Sequence, residues 1–66
     1  MDITVNGEKR RFDGPLTVAD LLAALELPAR KIAVERNLEI VPKSLFGETA
    51  IADGDRIEIV QFVGGG

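Results

Sequence analysis

The stretch TVADLLAALELP, residues 17–28, decides the fold class, because its apolar residues recur with helical spacing. Thr17 is a favourable N-cap residue, and Asp20 stands three residues later, where its carboxylate can complete a capping box. Pro28 ends the segment, since the residue before a proline is disfavoured in helical conformation. A helix this short is not stable alone. It must therefore pack through its apolar face, formed by Val18, Leu21, Leu22 and Leu25.

Two strands joined by a tight turn are predicted before this helix. Residues 2–6 alternate between polar and apolar side chains, with Ile3 and Val5 on one face. Asn6-Gly7 is a strong hairpin signal because both residues tolerate positive φ. Residues 8–12 then form the returning strand.

Three further strands are predicted after the helix, over residues 32–36, residues 39–41, and from residue 56 to about residue 62. Residues 43–50 show no clean period, and Leu45 and Phe46 are predicted to reach the core from a short turn there. The helix and the strands are segregated along the chain, which is typical of the α+β class. One helix packed across one face of a mixed sheet is the ubiquitin-like β-grasp arrangement.

The composition excludes several kinds of function. The chain of 66 residues has no Cys, His, Tyr or Trp, so it lacks the preferred metal ligands and the usual catalytic nucleophile and base pairs. We therefore expect no metal, no bound cofactor and no enzymatic activity of its own. A net charge of −3 argues against a nucleic-acid partner. With no apolar run of membrane-spanning length and no signal peptide, a cytoplasmic protein without membrane contact is expected.

The last strand changes its apolar face near its end. Ile57 and Ile59 share the parity of a core face, whereas Val60 and Phe62 share the opposite parity with Glu58. One explanation is a β-bulge, or simple edge packing, that returns these side chains to the core. The other is a partner-docking patch formed by Val60, Phe62 and Glu58. The position of this patch beside the last residues of the sequence favours docking.

The sequence closes with three glycines, Gly64-Gly65-Gly66. Residues without side chains can lie extended in a narrow channel and present a terminal carboxylate to a buried active site. The alternatives are a disordered chain end or a leftover linker. The glycines follow directly on a predicted strand without the serines of a linker, which favours the functional interpretation. The expected organisation is one β-grasp domain over residues 1–62 and a flexible glycine tail over residues 63–66.

These features together resemble the ThiS family, the sulfur carrier proteins of thiamine biosynthesis, over essentially the whole length. The matching blocks are Val5-Asn6-Gly7, Thr17-Val18 with Leu21-Leu22, Ala33-Val34-Glu35-Arg36-Asn37, Glu39-Ile40-Val41-Pro42, Asp53-Gly54-Asp55-Arg56-Ile57-Glu58-Ile59-Val60, and Phe62-Val63-Gly64-Gly65-Gly66. The last two of these blocks together are specific to the family, whereas the hairpin and helix blocks occur in many folds.

The resemblance implies a carrier whose reactive group is the carboxylate of Gly66. An adenylating enzyme related to ubiquitin-activating enzymes would use ATP and Mg²⁺ to form a glycyl adenylate. Sulfur from a cysteine desulfurase or another persulfide donor would then give a thiocarboxylate, the 1-thioglycine form of Gly66. Gly64 and Gly65 would thread the partner's active site, and thiazole synthase would receive the sulfur.

Three other functions remain open on the sequence. The small subunit of molybdopterin synthase resembles this fold and also ends in two glycines. A ubiquitin-like modifier would be conjugated to lysines through Gly66. A β-grasp binding module would carry the tail without using it.

Overall fold

The computed structural model describes residues 1–61, in which seven strands, one α-helix and a 3₁₀ turn are assigned. In chain order these are β1 (Asp2–Val5), β2 (Glu8–Arg11), β3 (Leu16–Thr17), α1 (Val18–Ala24), β4 (Ile32–Arg36), β5 (Glu39–Val41), a 3₁₀ turn (Lys43–Leu45), β6 (Ala50–Ile51) and β7 (Arg56–Gln61). The predicted helix and the five predicted strands are all present. The structure thus confirms the α+β class.

Five strands form one mixed sheet in the order β2-β1-β7-β4-β5. The last strand, β7, lies at the centre, parallel to β1 and antiparallel to β4. Two antiparallel hairpins, β1–β2 and β4–β5, complete the sheet on either side of it. This is the β-grasp arrangement, with α1 packed on one face.

Both hairpins turn through two residues with positive φ. Asn6 and Gly7 have φ of 49° and 84°, and Asn37 and Leu38 have φ of 52° and 72°. Two consecutive positive values are typical of a type I′ turn, whose twist matches that of the strands it joins. The predicted Asn6-Gly7 hairpin is therefore confirmed.

The start of α1 is fixed by its side-chain cap and by the loop after the 3₁₀ turn. The Asp20 N–H donates to Thr17 Oγ1 at 3.1 Å, and the Thr17 N–H donates to the Asp20 carboxylate at 3.0 Å, so the predicted capping box is present. Two further helical N–H groups donate to carbonyls of the loop, that of Val18 to Thr49 and that of Ala19 to Phe46. These bonds satisfy donors that a helix start leaves without intrahelical partners.

The core lies between α1 and the inner face of the sheet. Its buried apolar residues are Ile3, Val5, Val18, Leu21, Leu22, Ile32, Val34, Val41, Phe46, Ile51, Ile57 and Ile59. Phe46 is buried as predicted. The prediction for Leu45 was wrong: its side chain is 42% exposed, because the turn that buries Phe46 directs its neighbour to solvent.

Two short strands were not predicted. β3 and β6 pair antiparallel as a separate two-stranded sheet, with Leu16 opposite Ile51 and Thr17 opposite Ala50. No helix within residues 1–61 is long and apolar enough to cross a membrane.

Candidate functional site

The end of β7 presents an apolar side chain to solvent, as its sequence pattern predicts. Ile57 and Ile59 are buried in the core, whereas Val60 is 56% exposed. Pairing with β4 runs without interruption from Arg36 opposite Ile57 to Ile32 opposite Gln61. The bulge that would return Val60 to the core is therefore absent from β7, and Val60 lies on the outer face of the sheet.

The neighbours of Val60 on this outer face are one small residue and two carboxylates. Ala33 stands opposite Val60, and Glu35 stands opposite Glu58, two residues along each strand. Like charges directly opposite each other in a sheet are unfavourable. Neither glutamate takes part in an ion pair with another residue of the described chain. The outer face therefore holds two uncompensated carboxylates beside an exposed valine.

The other half of the outer face is basic. Lys9 stands opposite Thr4, which in turn stands opposite Arg56, so two cations share one row across three strands. In the next row, Arg11 Nε lies 2.8 Å from Asp2 Oδ1. The hydrogen bond and the charge of this guanidinium hold the pKa of the Asp2 carboxyl below its usual value, and the same contact raises the pKa of Arg11.

The Asn6 side chain holds β7 on its β1 side. Asn6 Oδ1 accepts from the Ile59 N–H at 2.7 Å, and Asn6 Nδ2 donates to the Ile59 carbonyl at 3.2 Å. The backbone of β1 turns away at Asn6, whose own N–H still donates to the Ile57 carbonyl at 2.9 Å. The side-chain amide thus continues the parallel ladder where the backbone has left it.

A buried carboxylate holds the other end of β7. Asp55 is 6% exposed and lies just before the strand. It accepts from Arg36 Nε at 2.6 Å, from Asn37 Nδ2 at 3.0 Å and from the Ala52 N–H at 2.8 Å. Asn37 Oδ1 also accepts from the Arg56 N–H at 2.9 Å. Both ends of the strand are therefore held by an asparagine from a hairpin turn.

The sequence interpretation missed these two polar clusters. Asn6 was predicted only to form the hairpin turn, and no contact was predicted for Asp55. Their bonds join residues 53 and 19 positions apart, respectively. No local pattern signals contacts of that separation.

The remaining predicted site residues lie outside the described residues. These are Phe62 of the proposed docking patch and Gly64, Gly65 and Gly66 of the tail, and with them the predicted boundary at residue 62. Within residues 1–61, no group of three or more acidic, His or Cys side chains is placed to hold a metal ion.

Comparison with known proteins places the chain in a family. The family model of the ThiS family matches residues 3–66. The chain belongs to the ThiS family. The sulfur carrier protein ThiS of Bacillus subtilis is 50% identical to it over 50 residues, which are 76% of this chain and 76% of that protein.

A solved structure and a longer relative extend this likeness. The crystal structure of the thiamine biosynthesis protein ThiS from Geobacter metallireducens matches with a TM-score of 0.86 and 40% identity, covering both chains completely. A thiazole synthase of Paramagnetospirillum magneticum is 54% identical over all 66 residues. This ThiS-family chain spans only 20% of the length of that synthase.

Proposed function

We propose that this protein is the sulfur carrier for thiazole formation in thiamine biosynthesis, acting in the cytoplasm through the carboxylate of Gly66. The observation that carries the proposal is membership of the ThiS family over residues 3–66, a match that includes all three final glycines. The protein is then a co-substrate of other enzymes and not itself a catalyst. ATP and Mg²⁺ belong to the adenylating enzyme.

The chemistry requires activation because a carboxylate is a poor acylating agent. An adenylating enzyme related to ubiquitin-activating enzymes transfers AMP from ATP to the Gly66 carboxylate and releases pyrophosphate. The terminal sulfur of a persulfide, carried by a cysteine desulfurase or another donor, displaces AMP and gives an acyl disulfide. A thiol then cleaves the S–S bond, forms a disulfide with the donor cysteine and releases the thiocarboxylate. The chain has no Cys, so the sulfur is carried on that terminus and on no side-chain thiol.

We assign docking of the adenylating enzyme to the outer face at the end of β7. Val60 is exposed on a strand whose neighbours hold it in register, and Glu58 stands in the next outward position. An apolar group beside carboxylates suits a partner surface with an apolar contact rimmed by basic residues. Phe62 is assigned to the same patch from its parity in the sequence.

Thiazole synthase is proposed as the acceptor of the sulfur. In the Paramagnetospirillum relative, a region similar to this whole chain belongs to a longer polypeptide named thiazole synthase. Two activities joined in one polypeptide act at a high effective concentration on each other. The presence of both regions in one polypeptide supports an interaction between this chain and a thiazole synthase when the two are separate proteins.

The test is an intact-mass measurement of the purified chain. The mass first establishes whether Gly66 is the terminal residue of the mature protein. The protein is then incubated with ATP, Mg²⁺, an adenylating enzyme and a sulfur source. We expect a mass gain equal to replacement of one oxygen by sulfur, confined to the C-terminal peptide. A chain left unmodified while that enzyme thiocarboxylates another carrier would overturn the proposal.

The matched control is a chain that lacks Gly66. It should not be thiocarboxylated, and its circular dichroism and unfolding curve should equal those of the full chain. Attachment to other proteins instead of sulfur uptake would indicate a modifier. A requirement for thiamine after gene deletion separates the thiazole pathway from the molybdopterin pathway.

A further inference from the structure

Among residues 1–61, the Asn6 side chain makes the last hydrogen bonds to β7 on its β1 side. Pairing of β1 with β7 ends at Val5 opposite Ile57, and the two Asn6 bonds then reach forward to Ile59. On the other side, β4 pairs with β7 as far as Gln61. Residues 62–66 follow Gln61 directly along the chain.

Asn6 also bonds to backbone groups of β7 that β1 would otherwise leave without partners. Ile59 is a core residue at 8% exposure, and its N–H and carbonyl face the space that β1 vacates at the turn. Without Asn6 these two groups would have to bond to water at the margin of the core. The end of β7 would then be held from one side only, by a single strand.

We propose that Asn6 is a positioning residue, which fixes the direction in which β7 delivers the reactive terminus to the adenylating enzyme. The inference rests on the function proposed above. Because only residues 62–66 follow Gln61, we expect the terminus to reach a narrow channel most often while the strand points towards it. If only a fraction of the molecules holds β7 in the correct direction, the apparent affinity of the carrier for the enzyme is the intrinsic affinity multiplied by that fraction. Once the terminus has entered the channel, the reacting groups have the same arrangement whether or not Asn6 is present.

The test compares Asn6→Gly with Asn37→Gly. Both asparagines have positive φ at the first position of a two-residue turn, so glycine fits each backbone without strain. Each side chain makes two hydrogen bonds beside β7. Its Oδ1 accepts from a backbone N–H, and its Nδ2 donates to an oxygen. The two asparagines differ in the end of the strand that they hold, and also in the acceptor, since Asn37 donates to the Asp55 carboxylate and Asn6 to the Ile59 carbonyl. Asn37 acts at Arg56, where the strand begins, and Asn6 acts near its close.

The readout is ATP–pyrophosphate exchange by the adenylating enzyme as a function of carrier concentration. We expect Asn6→Gly to raise KM by roughly three- to tenfold with kcat unchanged, because two hydrogen bonds restrain the strand direction. Asn37→Gly should lower the melting temperature and leave KM unchanged.

Two kinetic outcomes overturn the inference. One is a KM for Asn6→Gly equal to that of the wild type. The other is an equal rise in Asn37→Gly, since general loss of stability would then explain both. Hydrogen exchange of the Ile59 amide supplies a readout without the enzyme, and unchanged exchange in Asn6→Gly also contradicts the restraint. A wild-type chain that supports no exchange of pyrophosphate contradicts the proposed function, while the Ile59 amide still tests the role of Asn6.

Discussion

Among residues 1–61, Asp55 is the one buried charged side chain, and its surroundings determine what it contributes. Burial raises the pKa of this carboxyl. Hydrogen bonds from the Ala52 N–H, Asn37 and Arg36, with the charge of Arg36, outweigh that effect and hold the pKa of Asp55 below its usual value. The folded protein therefore keeps this carboxylate ionised and fully bonded.

Asp55→Asn should destabilise the protein by about 2–3 kcal/mol, because it removes one partner of a partly buried ion pair. The Arg36 guanidinium would lose its counter-charge, and an amide cannot accept three hydrogen bonds with the same strength. The free energy of unfolding in urea measures the effect. Asp53→Asn is the control, since the exposed Asp53 Oδ1 accepts only the Asp2 N–H, and an amide oxygen can replace it. Equal losses in the two variants would contradict this role of Asp55.

Stability should fall as the pH is lowered through the acidic range. The pKa of an unfolded Asp is about 3.9, and that of folded Asp55 is lower, so the unfolded state binds more protons in this window. The contribution of Asp55 is present above pH 4 and is lost as the pH falls through its folded pKa. Urea midpoints between about pH 7 and pH 2 should show a shallower decline for Asp55→Asn than for the wild type. Parallel curves would contradict the assignment.

At the scale of elements, the 3₁₀ turn and the residue after it connect the helix to the core. The Phe46 side chain is buried, and its carbonyl accepts the Ala19 N–H at 2.9 Å in the first turn of α1. Leu45, its neighbour, lies at the surface. Two adjacent apolar residues thus have opposite environments within one short turn.

Phe46→Ala should cost about 3–5 kcal/mol, which is the usual range for emptying a buried aromatic site. Leu45→Ala should cost less than about 1 kcal/mol, as expected of a surface position. The measurement is the urea midpoint of each variant, with Phe46→Leu as a milder change if the alanine variant is unfolded at 25 °C. A loss of stability for Leu45→Ala as large as that for Phe46→Ala would contradict the difference in burial.

The elements that the sequence predicts are those whose signal is local. Thr17 and Asp20 form a cap within one turn of chain, and Ile57 and Ile59 alternate with exposed neighbours, so both elements could be predicted. β3 and β6 have two residues each, which is too short for a period, and they exist because Leu16 meets Ile51. Likewise, no pattern could separate Leu45 from Phe46, because the choice depends on how the turn packs against the start of α1.

At the scale of the whole molecule, the outer face of the sheet divides into a basic and an acidic half. Lys9 and Arg56 lie on one side, and Glu35 and Glu58 lie on the other, next to Val60. The inner face is occupied by α1 and the core, so the outer face is the broad sheet surface left for a partner. Val60 and Glu58 of the predicted docking patch lie at its acidic end.

Val60→Asp should weaken binding of the adenylating enzyme by roughly tenfold, equivalent to about 1.4 kcal/mol, because a charge replaces an apolar contact. Stability should change little, since Val60 is already exposed. Leu38→Asp is the control: it places the same charge at a side chain that is 76% exposed, in the turn between β4 and β5 and away from Val60. Binding and urea unfolding of both variants are measured together. Normal binding by Val60→Asp, or a large loss of its stability, would contradict the proposed patch.

The central position of β7 has a consequence for synthesis on the ribosome. The two hairpins emerge first, but β1 and β4 meet only through β7, which is translated after every other strand. A nascent chain therefore holds local turns without a common sheet, and the long-range pairing that completes the domain is delayed. Translation that stops before residue 56 leaves an unfolded product, which cellular proteases remove readily. We therefore expect the domain to assemble only in a polypeptide synthesised through its central strand.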